Sequence, residues 1–188
     1  MLSKIDFTLH DVLEQEVYSS QSNSFRDISC TSIEELNRNS KITNPYYFQY
    51  GYSAGKRIDR DKLNKSVLEN FLIKYYYGGE WVMSGALKYE KGDFMGWHTN
   101  NNNQGIRCYL AYSFEDNSNI FRYKNPYTKK IIDSYDKKGW NIRLFQISKA
   151  NPFWHCVIAN SKRYSFGFNN KNPGKKLMWD VKLCYQLQ

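Results

Sequence analysis

At 188 residues, 41% of them hydrophobic and 24% charged, the chain has enough apolar material for a folded core and too much to be disordered. No run approaches the roughly 20 apolar residues of a membrane helix, and no signal-peptide core opens the sequence, so a soluble cytoplasmic protein without a membrane partner is expected. The 27 basic and 18 acidic residues leave a net charge of +9, which keeps nucleic acid open as a partner.

Residues 1–80 read as a mixed, partly helical support region. Residues 11–17 suit a short helix, or a strand start after residues 5–9. Residues 31–36 look like a capped helical turn, with Thr31 or Ser32 at the N-cap and a glutamate three positions on. Residues 46–52 are an aromatic run of strand type. The strongest helix is predicted over residues 60–77, where Leu63, Val67, Phe71 and Leu72 make one apolar face and Gly78-Gly79 stops the run. It is expected to buttress one face of a sheet.

From Glu80 the pattern changes to short runs rich in β-branched and aromatic residues: 81–89, 107–114, 120–123, 131–135, 142–147, 155–158 and 164–168, with Asn, Gly, Pro or Lys between them. That spacing predicts a sandwich or barrel. A last strand is expected within residues 177–187. Cys30, Cys108, Cys156 and Cys184 are scattered and form no CxxC pair, which argues against a zinc ribbon or redox motif and suits a reducing compartment.

Chemistry concentrates in residues 87–100. Leu87 and Tyr89 alternate with charged residues, Lys91-Gly92-Asp93 makes a turn, and Phe94-Met95-Gly96-Trp97 leads into His98. His155 ends a similar stretch, Asn151-Pro152-Phe153-Trp154, and Arg163 follows eight residues later. A strand-end histidine is fixed by its sheet and can face a dry interior, which suits a metal. Two imidazoles and one oxygen on a single face of an octahedron leave three positions open, the arrangement used with non-heme Fe(II). Two of these can chelate the keto acid of 2-oxoglutarate and the third takes O₂. An arginine on the next strand would then hold the far carboxylate. Trp97 and Trp154, each preceding a histidine, are expected on the opposite face, filling core. His10 lies outside the pattern, structural or exposed. Arg107 and Arg143 are read as solvent-facing, with the barrel mouth as the alternative.

In this order the residues resemble the Fe(II)- and 2-oxoglutarate-dependent dioxygenases, prolyl-hydroxylase-like members above all, over roughly half the chain. The family pattern is an H-x-D/E pair, a distal histidine and a following arginine in an R-x-S setting. Here these read His98-Thr99-Asn100, His155 and Arg163-Tyr164-Ser165. A Y-x-x-G turn (Tyr89-Glu90-Lys91-Gly92), an asparagine-rich loop and Gly105-Ile106-Arg107 opening a strand add to the likeness.

The resemblance implies a mainly β fold with flanking helices, a double-stranded β-helix (jelly roll) over residues 81–168. This would sit in a single domain 1–188, with a C-terminal extension at 169–188. It implies Fe(II) on His98, Asn100 and His155, and 2-oxoglutarate held by Arg163 with Ser165 and Tyr89. It further implies O₂-dependent conversion of 2-oxoglutarate to succinate and CO₂, coupled to hydroxylation of an unidentified primary substrate: a protein side chain, a small molecule or nucleic acid.

Asn100 departs from the pattern, because the family places a carboxylate there. Three alternatives stand open: weak ligation by the amide, a position left to water or halide, or an inactive site. Glu115 and Asp116 are other candidate donors. The rival functions are a catalytically silent jelly roll that binds or assembles, its metal site degenerate, and a nucleic-acid-modifying oxygenase.

Overall fold

The computed structural model describes residues 5–13, 15, 17–18, 55–75, 79–100 and 103–172. The expected elements at 31–36, 46–52 and 177–187, with Cys30 and Cys184, lie outside the described residues. The alternation that begins at Trp81 becomes β2 (Trp81–Tyr89), β3 (Phe94–His98), β4 (Gly105–Ser113), β5 (Ile120–Lys124), β6 (Ile131–Tyr135), β7 (Gly139–Ile147), β8 (His155–Ile158) and β9 (Arg163–Asn170). A two-residue β1 (Lys56–Arg57) precedes them.

These strands form a five-stranded sheet, β1-β2-β9-β4-β7, and a four-stranded sheet, β3-β8-β5-β6, and every pairing is antiparallel. Apart from the β5–β6 hairpin, the chain changes sheet at each step from β2 to β9. That is the wiring of a double-stranded β-helix, or jelly roll. The two sheets do not close into a barrel. Several strands start earlier than their apolar runs. Gly105 (φ 132°) and Gly139 (φ 89°) take positive φ and let β4 and β7 begin there.

The helix predicted over 60–77 divides. Asp59 caps a single 3₁₀ turn, Arg60–Lys62, its side chain accepting from the Asp61 N–H at 3.0 Å. Leu63 is then extended (φ −107°, ψ 141°) and bridges to Leu13. A continuous helix would strip Leu63 of that pairing. Helices α1 (Leu9–Val12) and α2 (Lys65–Tyr75) flank the sheets. In α1, Thr8 and Asp11 cap each other reciprocally. The buried stripe of α2 is Leu68, Phe71 and Leu72, spaced i, i+3, i+4.

That stripe belongs to one cluster with Ile106, Cys108, Leu110, Phe166 and Phe168, which face outward from the large sheet. Phe7 links the two layers, its ring 5.3 Å from Phe71 and 5.0 Å from Trp140. Each fully buried leucine or phenylalanine contributes about 1.5–3 kcal/mol. Phe94, Trp97, Ile120, Cys156 and Ile158 form a second cluster on the outer face of the small sheet, with Trp154 against it. Both tryptophans thus turn away from the interior, as expected. Cys108 and Cys156 are buried free thiols. Among the described residues no helix is long and apolar enough to cross a membrane.

Candidate active site

The site lies between the inner faces of the two sheets, and a β-bulge sets it up. Met95 pairs with Val157 and His98 with His155, so three steps along β3 match two along β8. Strict alternation from an inward Met95 would turn Trp97 in and His98 out. The extra residue at Gly96-Trp97 reverses this, so Trp97 faces outward and His98 stands beside His155. The two imidazole centroids are 4.0 Å apart.

Both rings are oriented by the same local device. His98 Nδ1 lies 2.9 Å from the Gly96 carbonyl and His155 Nδ1 3.0 Å from the Phe153 carbonyl, each two residues back. A carbonyl only accepts, so the proton sits on Nδ1 in both rings and the Nε2 atoms keep their lone pairs. That is the tautomer a metal needs, with the second ring nitrogen fixed as in known metal sites. Burial holds both neutral. The His98 pKa is pushed down to about 4, the Gly96 carbonyl partly offsetting the desolvation. His155 is driven well below its ordinary value by burial first, then by the nearby His98.

Asn100 follows β3 with φ 55°, a left-handed conformation that asparagine tolerates. Its amide Nδ2 donates to Tyr109 Oη at 3.1 Å and stands 3.4 Å from His155 Nε2. Tyr109 Oη is itself 3.4 Å from His155 Nε2. Burial raises the Tyr109 phenol pKa, with Arg107, Asn100 and Arg163 pulling the other way. Among the described residues no third His, Cys, Asp or Glu completes a metal-binding group. Glu115 and Asp116 do not approach it. They lie beyond the Ser113–Arg163 pair that ends β4, are exposed, and Asp116 accepts instead from the Lys138 N–H at 2.8 Å.

Arg163 opens β9 opposite Ser113 and Tyr89, and is fully buried. Its Nε donates to Asp136 Oδ2 at 2.7 Å, and its ring neighbour is Tyr89, whose centroid lies 5.8 Å from the guanidinium carbon. Gly55 packs so closely on Tyr89 that a Cβ there would come within 2.8 Å of the ring. The far carboxylate oxygen, Asp136 Oδ1, is 2.7 Å from Arg143 Nη1. Arg143 in turn bonds Ser134 across the sheets, through Nε to Oγ at 3.2 Å and Nη2 to the carbonyl at 3.0 Å. Burial pushes the Asp136 carboxyl up, but Arg163 and Arg143 together outweigh it and hold it below the usual range. Two guanidinium groups therefore share one carboxylate.

Arg163 Nη1 and Nη2 are buried with no hydrogen-bond partner. An uncompensated guanidinium fork in a dry interior is costly, and a bidentate carboxylate is the ligand that fits it. Ser165, two residues on, shares its face and sits between Leu87 and Ala111. Tyr109 pairs with Gly167, four residues along β9 from Arg163, so about 13 Å of backbone separates Arg163 from the level of Tyr109.

The solvent-facing expectation for Arg107 and Arg143 is overturned. Arg107 is 6% exposed, shares Tyr109's face of β4, and donates from Nη2 to the Asn103 carbonyl at 2.8 Å. The alternation located both arginines on a face but did not say that this face looks inward. Tyr109 and Asp136 were not singled out in the sequence, since a tyrosine and an aspartate in β-rich runs carry no distinguishing pattern. His10 is exposed and away from the site.

No family model matches the sequence, and no curated protein matches it. Solved structures similar to it include an oxidoreductase of the 2OG-Fe(II) oxygenase family from Burkholderia pseudomallei, at 12% identity and a TM-score of 0.44, over 64% of this chain and 63% of that one. A Pseudomonas putida prolyl-4-hydroxylase aligns at 15% identity and 0.39, over 57% and 58% of the two chains. An oxalate oxidase aligns at 12% identity and 0.38, over 88% and 77%. The chain spans less than two thirds of the length of the first two. At such identities the likeness concerns fold alone, and the strand order establishes the fold without it.

Proposed function

We propose that this protein is an Fe(II)- and 2-oxoglutarate-dependent oxygenase of hydroxylase type, acting on a C–H bond of a separate primary substrate. One observation carries the reading. The space between the two sheets holds two buried histidines with unprotonated Nε2 atoms on the small sheet, and on the facing large sheet a buried arginine fork without an acceptor. A metal fits the first, a carboxylate fits the second, and a short 2-oxo dicarboxylate reaching from the metal meets both demands.

In this reading His98 and His155 hold the iron through Nε2, with Asn100 offering its carboxamide oxygen beside them. When bound, the iron supplies the O₂ chemistry that no side chain can provide, with 2-oxoglutarate as the co-substrate that becomes succinate and CO₂. Arg163 grips the distal carboxylate with its paired N–H groups. Asp136 sets the direction of that grip through Nε, and Tyr89 backs the guanidinium plane. Ser165 adds a hydroxyl along the same face. Phe121, Phe145 and Phe153 crowd the His155 ring, with centroids 5.3–5.4 Å away, and keep water from it.

Mn(II) uptake by the purified protein tests this. We expect one ion per chain in the wild type, and loss of stoichiometric uptake in His98→Ala and in His155→Ala with the fold retained. Equal uptake in all three proteins refutes the assignment. The absence of a third His, Cys, Asp or Glu among the described residues favours a second reading, a silent jelly roll that binds or assembles. A folded wild type that takes up no Mn(II) decides for it.

A further inference from the structure

We propose that Tyr109 is a direct ligand of the metal, so that its phenol oxygen supplies the anionic donor that Asn100 cannot. This inference rests on the metal-binding reading above and assigns a residue outside the expected ligand set.

Three atoms define the position. Asn100 Nδ2, Tyr109 Oη and His155 Nε2 stand 3.1, 3.4 and 3.4 Å apart, a nearly equilateral triangle. Donor atoms around a four- to six-coordinate ion with bonds of about 2.1 Å stand about 3.0–3.4 Å from one another. With the Asn100 carboxamide turned so that Oδ1 takes the place of Nδ2, an ion just off the plane of this triangle would be within bonding reach of all three residues, with the His98 ring beside it. The present contacts point the same way. Without an ion, the amide N–H₂ of Asn100 faces two electron-rich atoms, the phenol oxygen and the unprotonated imidazole nitrogen.

The phenol is held there by more than chance packing. Phe145 and Phe121 meet the Tyr109 ring edge-on, at 4.8 Å and 88° and at 5.9 Å and 89°. Gly167 lies opposite Tyr109 in the ladder, and a Cβ there would stand 3.2 Å from the ring. The ring thus has a bed on one side and walls on two others, which fixes Oη.

Charge supports the choice of ligand. The inner face carries Arg107, Arg143 and Arg163 against the single carboxylate of Asp136. A divalent ion on two neutral imidazoles and a neutral amide would add to that excess, whereas a phenolate offsets part of it. Iron accepts tyrosine oxygen in other proteins. On coordination the O–H bond breaks and the proton passes to solvent, as for other protonated ligands.

The test uses ferric iron alone. Fe(III), added anaerobically as its nitrilotriacetate complex without 2-oxoglutarate, should give the wild type a visible phenolate-to-iron charge-transfer band with resonance-enhanced tyrosine ring modes. Tyr109→Phe keeps the ring and its packing. It should lose the band and bind Mn(II) at least tenfold more weakly, while both histidines still bind. Iron uptake without the band overturns this inference and leaves the oxygenase reading standing. A band that survives in Tyr109→Phe also overturns it, because another tyrosine is then the ligand. No iron uptake by the wild type removes both.

Discussion

The proposed chemistry turns on a few buried groups that are held on one side and open to a ligand on the other. The histidines are satisfied at Nδ1 and unprotonated at Nε2, where His155 has the Asn100 amide and the Tyr109 phenol 3.4 Å away; Arg163 is satisfied at Nε and has no hydrogen-bond partner at either terminal nitrogen. Asn100 is where the pattern is weakest, and a substitution probes it. Asn100→Asp is nearly isosteric, and aspartate also tolerates the left-handed backbone that Asn100 adopts. We expect the variant to bind Fe(II) about tenfold more tightly, a gain of about 1.4 kcal/mol, because a charged oxygen replaces an amide. Competition against a metal-sensitive dye measures this. Unchanged affinity would mean that residue 100 does not reach the ion. The histidines and Arg163 were legible in the sequence because each ends or begins a strand-like run at a telling spacing. Their support was not legible. Asp136, Arg143 and Ser134 meet only through the packing of one sheet on the other, which no local pattern records.

At the scale of elements, the bulge in β3 does the most. The sequence run Phe94–His98 reads as five strand residues, and simple alternation from Met95 gives the wrong face for the histidine. The register shift against β8 supplies the correction, and it depends on a partner strand sixty residues away. Helix α2 shows the opposite limit. Its apolar periodicity was plain, yet Leu63 belongs to an extended link and Leu68 takes its place in the stripe. Leu63 and Leu68 are both apolar, and each extends an apolar pattern that includes Phe71, so periodicity alone cannot choose between them. The strand-rich half was legible as a sandwich or barrel because its short runs and turns alternate regularly, and the resemblance narrowed this to a jelly roll. The inward position of Arg107 and Arg143 was not, since a charged residue on a strand usually marks the wet face.

For the whole molecule, the interior arginines change the meaning of the charge. Part of the +9 excess is internal, tied to the site rather than displayed to a polyanion. Burial of the histidines also ties stability to pH in the metal-free protein. The unfolded chain protonates a histidine near pH 6.5, but folded His98 resists until about 4. Between those values the unfolded state binds more protons, so stability falls as pH drops from 6.5 to 4, by on the order of 3 kcal/mol for His98 alone. His155 acts in the same direction. Urea unfolding at pH 7 and pH 5 should show the loss, and His98→Gln should flatten it; equal stability at both values in the wild type contradicts it.

In the proposed reading the space between the two sheets holds a metal on the histidines of one sheet and a carboxylate on the arginine of the other. Calorimetric titration of 2-oxoglutarate into the Mn(II)-loaded protein, wild type and Arg163→Met, tests that claim most directly. We expect binding to the wild type, weakened by about 2–5 kcal/mol in Arg163→Met because a buried carboxylate loses its partner, with Arg163→Lys recovering only part for want of the planar fork. Equal 2-oxoglutarate affinity in wild type and Arg163→Met would contradict it.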